Sequence, residues 1–270
     1  MLKTKIVAGL IALSFCLPVF AATETKLTYD TSRKISAVLN GKKKKYTVSM
    51  ESSIYQTIFA LEDHYCLGCA LSERDSVMIT REDQKTSLQP LVNWIKKQNK
   101  KPDSQARIAA SLVQKISYDY DKYNNGGESN GRGHGVRYPY EVLYDSKGIC
   151  GEKSFLISFL LKELGFGTAA IYLNENGINH QVAGVKCPAQ YDFKDSGYCF
   201  IEATSRRMIT YSGSYEDQEN PTVVPLADGR TFNPKNDYKD GQTWRRLIRE
   251  GTRSNKNYKK YKQLVKKYGI

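Results

Sequence analysis

Beyond residue 22, this 270-residue chain lacks any hydrophobic run long enough to span a bilayer, and it lacks internal repeats. Histidine is scarce, with His64, His134 and His180 the only three. The HYCLGC run at residues 64–69 suggests zinc, but it has no second CxxC and no fourth ligand, so no metal site is expected and no organic cofactor is required. Acid is also short: 28 Asp and Glu face 41 Lys and Arg, a net charge of +13. That excess makes anionic surfaces or polymers natural weak partners. A specific nucleic-acid partner is not among the expectations.

What is present begins with export. Lys3 and Lys5 precede an apolar stretch from Ile6 to Phe20, followed by Ala21 and Ala22. This is the pattern of a secretory signal cleaved after Ala21, and the stretch falls short of the ~20 residues of a membrane-spanning helix. Loss of residues 1–21 removes two lysines and takes the net charge from +13 to +11. The expectation is a secreted or periplasmic protein. Of the cysteines that remain, Cys66 and Cys69 form a CxxC read as a disulfide or redox-sensitive pair. Cys187 and Cys199 flank a polar, turn-rich segment and are expected to form a second disulfide, which leaves Cys150 as an odd thiol.

Residues 26–50 alternate polar and apolar around Asn40-Gly41, a hairpin signal, with Lys42 to Lys45 as a solvated edge. Ile54, Ile58 and Leu61 then follow a helical spacing. Ser87 and Pro90 are read as opening a helix through Leu91, Trp94 and Ile95 that Pro102 closes, and Asp103 or Ser104 as capping the next, through Ile108, Leu112, Val113 and Ile116. A polar, glycine-rich loop spans residues 124–135. Cys150 then opens a helix apolar nearly all round, from Phe155 to Leu164, with Gly165 as its stop. Strands are expected at residues 168–173, 180–186 and 198–202. From 205 to 236 the text is polar and aperiodic. The last thirty residues carry ten Lys or Arg and one acid, Glu250.

A thiol at the first turn of a buried helix meets unpaired backbone N–H groups and the positive end of the helix dipole, which favour thiolate. Gly148 and Gly151 keep the backbone slim on both sides. His180, at the start of a strand after a turn-rich stretch, is the best general base, and Glu202 on the next strand can orient it. For Glu152 the reading is that it complements the helix dipole. The Tyr138-Pro139-Tyr140 run either lines the cleft or packs.

The residues RYPYEVLYDSKGICGEKSFLISFLLKELGFGTAAIYL, then NHQVAGVKCP, then YCFIEATS, together with RIAASLVQKISYDYD upstream, resemble the transglutaminase-like superfamily, whose core is papain-like and α+β. The resemblance covers residues 103–210. It implies a nucleophile-bearing buried helix packed on an antiparallel sheet, with Cys150 as nucleophile, His180 as base and Glu202 as the third member. Many members have Asp-Pro where this chain has Glu202-Ala203. Such enzymes are peptidases, amidases or protein-crosslinking acyltransferases, acting on protein or peptide substrates. The alternative is a noncatalytic module anchored to an anionic envelope or wall polymer through a basic tail. The expected organisation is a signal at 1–21, a hairpin and helices at 22–102, the catalytic core at 103–210, a polar irregular extension at 211–243 and the basic tail at 244–270.

Overall fold

The computed structural model describes residues 29–61, 70–126, 135–175, 178–218 and 220–270. The proposed signal segment, His64, Cys66, Cys69 and His134 lie outside the described residues. Strands β1 (Thr31–Leu39) and β2 (Lys42–Met50) pair antiparallel through a two-residue turn. Asn40 and Gly41 both have positive φ, 49° and 77°, the geometry that matches strand twist in a tight hairpin.

Four helices follow: α1 (Ser52–Phe59), α2 (Leu71–Thr80), α3 (Glu82–Gln98) and α4 (Pro102–Gln114). The third begins five residues before the expected Ser87 and carries Pro90 in its interior. Its start is held by side chains, since Asp83 accepts the Gln84 N–H and Gln84 donates to the Met78 carbonyl. Proline is tolerated because Thr86 and Pro90 both face solvent, where water serves the carbonyl that Pro90 cannot. Pro102 opens α4 at its first position rather than closing α3, a place where no N–H is required.

A short parallel bridge then joins β3 (Ser117–Tyr118) to β4 (Lys147–Gly148), with α5 (Tyr120–Asn124) and α6 (Pro139–Asp145) between them. Tyr138 and Tyr140 at the start of α6 are fully buried, so this run packs rather than lines a cleft. Helix α7 (Cys150–Glu163) is the expected central helix, with Leu156, Ile157, Phe159, Leu160 and Leu161 all at 0% exposure. Gly165 follows its end at φ 84°, a conformation that favours glycine.

Strands β5 (Thr168–Glu175), β6 (Ile178–Lys186), β7 (Tyr198–Ile201) and β8 (Thr222–Ala227) form one antiparallel sheet in the order β7-β6-β5-β8. One face, with Ala170, Ala183 and Val185, joins the α7 core; the other buries Ile171, Leu173, Val182, Phe193 and Phe200. The fold is α+β.

The stretch beyond residue 204 departs from the expected irregular extension and tail. It contributes an edge strand, β8, and then helices α8 (Lys235–Glu250) and α9 (Asn255–Tyr268). Single leucines replace a periodic core stripe: Leu247 is 1% and Leu264 2% exposed, and Trp244 stacks on Tyr261 at 5.3 Å. Polar ties do the rest. Arg107 pairs with buried Asp237, Lys267 with Asp240, and Gly41 N–H donates to the Lys267 carbonyl at 3.0 Å.

Candidate active site

Cys150 is the first residue of α7, with Ile149 extended at the N-cap. It is the one free cysteine among the described residues and is partly exposed. Burial pushes its thiol up, but a hydrogen bond with His180, the Gln181 backbone N–H, the His180 charge and the Gly151 N–H together hold it below its usual value. A side chain at position 151 would meet Gln181 Oε1 at 2.6 Å, so glycine leaves room for the Gln181 carboxamide beside the helix start.

His180 lies on β6 opposite Leu173. Its Nε2 is 3.2 Å from Glu202 Oε2, which leaves Nδ1 for the sulfur. Burial pulls the imidazole down, and the bonds to Cys150 and Glu202 overcome this and raise it to about 9. The two groups thus favour each other's charged forms, the imidazolium lowering the thiol and the sulfur raising the imidazole. The ring stacks on Tyr215 at 5.0 Å and 14°. Tyr215 belongs to a 3₁₀ turn, Gly213–Asp217, in the strap that connects β7 to β8.

Glu202 sits just past β7 and is 3% exposed. Its Oε1 accepts from the Thr204 N–H at 2.8 Å and the Thr204 hydroxyl at 2.7 Å. Burial raises this carboxyl, but His180 and Thr204 outweigh that and bring it down to about 2. The structure thus brings Cys150, His180 and Glu202 together. Glu202 is not an exposed strand residue.

Several neighbours gave no sequence signal. Tyr118 lies beside Cys150, and burial together with the charge of that sulfur holds its phenol far above the usual range. Lys153 is fully buried and donates to the Ile116 carbonyl at 2.7 Å, tying α7 to the residues just before Tyr118. Burial brings its amine down to about 8, against the opposing charge of Glu202.

Glu152 does more than complement the dipole. It accepts from the Ile149 N–H at 2.9 Å, the Arg137 N–H at 2.8 Å and Lys122 Nζ at 2.7 Å. Arg137 also reaches it at 3.1 Å, together with Asp145 at 2.7 Å. Its Nη2 lies 2.8 Å from Asp119 Oδ2, a charge contact whose angle falls short of a hydrogen bond. Burial disfavours the Glu152 carboxylate, but Lys122 and Arg137 keep it ionised. This network pins Asp119, beside Tyr118, to the first turn that carries Cys150.

The expected disulfide between Cys187 and Cys199 is present and closes the loop between β6 and β7. Among the described residues no group of three or more His, Cys, Asp or Glu is placed to hold a metal, and no helix is long and apolar enough to cross a membrane. Residues 86–203 match the family model of a transglutaminase-like domain. The match runs from within α3 to one residue past Glu202. No curated protein and no solved structure gives a significant match.

Proposed function

From a chain whose residues 86–203 form a transglutaminase-like domain, we infer an exported cysteine enzyme that cleaves or transfers the acyl group of an amide or ester. The observation that carries this is the line from the Cys150 sulfur through His180 to Glu202 at the start of a buried helix. The Cys150 thiolate attacks the substrate carbonyl carbon. The carbonyl oxygen gains the displaced electron pair and is met by the backbone N–H groups at the start of α7, with the neighbouring Tyr118 phenol turned to donate to it. Imidazolium His180 gives its proton to the leaving amine or alcohol, and a thioester remains. Neutral His180 then takes a proton from water, whose oxygen attacks the thioester and releases an acid. A substrate amine in place of water would give a crosslink. Hydrolysis is favoured because it needs no second binding site.

The proposed substrate is a protein or peptide met outside the cytoplasm. The rival reading, a noncatalytic module held to an anionic polymer, predicts an unremarkable thiol. Iodoacetamide labelling followed by mass mapping separates the two. At pH ~6 Cys150 is expected to react at least ~10-fold faster than free cysteine, and His180→Ala to remove that advantage. A rate no faster than free cysteine would sink the acyl-transfer reading.

A further inference from the structure

We propose that a cavity beside the hairpin binds a single phosphate group, carried by a small ester or free in solution. It lies between β1, the end of α4, β3 and the end of α6, with Lys34, Ser36, Lys115, Ser117 and Ser146 on its wall. Its volume is about 230 Å³, below the ~300–1,000 Å³ of sites for drug-sized ligands, so it suits one small ligand.

The lining selects for an anion. No Asp or Glu lines the cavity, and the aliphatic residues at its floor, Leu112, Ile116 and Leu143, are buried, so the groups left to a ligand are ammonium and hydroxyl. Among the described residues neither Lys34 nor Lys115 has a carboxylate partner. Asp145, the acid next to Ser146 in the chain, is held by Arg137 at 2.7 Å. Phosphate suits this set better than carboxylate does. No guanidinium fork lines the cavity to grip a planar carboxylate, whereas two point-charge ammonium groups and the hydroxyls of Ser36 and Ser117 can serve three oxygens and a charge of about −1.5 to −2.

Lys115 supplies a second observation. It is half-buried just past α4, and besides burial the charges that hold its amine below its usual value are those of Arg206 and Lys43, both cations. Cations gathered round a half-buried amine with no acid to offset them leave charge for a ligand to neutralise. The carbonyl ends of α4 and α6 also reach the cavity, but a helix end carries only about half a charge. The N–H groups of Lys115, Ile116 and Ser146 already bond the carbonyls of Leu112, Val113 and Leu143. Two full ammonium charges outweigh what remains.

Ser117 immediately precedes Tyr118, so an occupant would be held by the segment that lies beside Cys150. The binding claim does not depend on acyl transfer, and the full-length Cys150→Ala protein serves for its test. It is titrated with sodium phosphate, glycerol phosphate and acetate at a fixed ionic strength of ~0.15 M, read by calorimetry and by the amide shifts of Ser36 and Ser117. Phosphate is expected to bind at about 1 mM, at least tenfold tighter than acetate. Glycerol phosphate bound as well as the free ion assigns the cavity to an ester, and its exclusion assigns it to the ion. Lys34→Gln and Lys115→Gln should each weaken binding about tenfold, while Lys256→Gln, on α9 and outside the cavity, should leave it unchanged. Lys34 is exposed, so the melting curve of its variant should be unmoved. Absence of saturable binding at ~20 mM, acetate bound as tightly as phosphate, or equal weakening by Lys256→Gln overturns the proposal.

Discussion

Tyr118 can be separated from the Cys150 sulfur beside it, because the two act on different kinds of electrophile. Alkylation of Cys150 by iodoacetamide forms no oxyanion, whereas acylation by p-nitrophenyl acetate does. Tyr118→Phe is therefore expected to slow acylation by about 10²-fold, the scale of one lost oxyanion donor, while alkylation changes by less than ~3-fold. Equal loss in both reactions would make Tyr118 a packing residue only. The same residues set the pH window. His180 is raised to about 9 from 6.5, so its contribution to stability is complete below 6.5 and fades as pH rises through about 9. Glu202 is lowered to about 2 from 4.5, so its contribution is present above 4.5 and fades as pH falls towards 2. Acyl transfer should fall on the alkaline side near 9, where the imidazolium that protonates the leaving group is lost.

Among the elements, α7 depends on a buried carboxylate that no periodicity announces. Glu152→Gln keeps the shape but leaves Lys122 and Arg137, at 0% and 2% exposure, facing a neutral group. The expected cost is about 3–5 kcal/mol, read as a shift of the urea midpoint; a change under ~1 kcal/mol would show the network to be dispensable. The Cys187–Cys199 bridge, between cysteines twelve positions apart across the β6–β7 connection, adds up to ~3 kcal/mol in the chain-entropy view and keeps His180 in register with Glu202. The hairpin, α7 and strands β5 to β7 are legible in the sequence because each matches a period and a stop signal: Asn40-Gly41, the apolar run closed by Gly165, the alternation around Val182. Cys150, His180 and Glu202 are legible for the same reason, since each falls at an element's end. By contrast, β8 carries Pro225, which demotes a run of six residues to an edge at best, and an edge strand beside β5 is where it lies. Lys122 and Arg137 are illegible because charged residues read as surface unless their partners, brought together only by the fold, are known.

For the molecule as a whole, the basic C-terminal segment is part of the body rather than a free end. Its docking brings the last turn of α9, with Lys266, against Gly41 and hence beside Lys42 to Lys45. Nearby, burial and then the charges of Arg206 and Lys43 hold the Lys115 amine below its usual value, evidence of cations gathered together. We propose this composite surface, not α9 alone, as the contact for an anionic envelope or wall polymer. Removal of residues 241–270 would also remove Leu247 and Leu264 from the core, so charge reversal is the cleaner test. Lys43→Glu with Lys45→Glu and Lys115→Glu should lower cosedimentation with phosphatidylglycerol vesicles at low salt by at least ~10-fold, on the scale of ~1 kcal/mol per cation, and leave the high-salt baseline unchanged. Unchanged low-salt binding would exclude the hairpin from the contact. The bond from Gly41 N–H to the Lys267 carbonyl also has a consequence in time. It joins segments from opposite ends of the described chain, so its loop must close late, after the local helices and the β5–β6 pair have formed. Until then Val38, which Gly269 covers in the native state, stays open to water. In pulse-labelled hydrogen exchange the amides of β1 should gain protection in the slowest refolding phase together with those of α9, as a single kinetic unit assembled from the two ends.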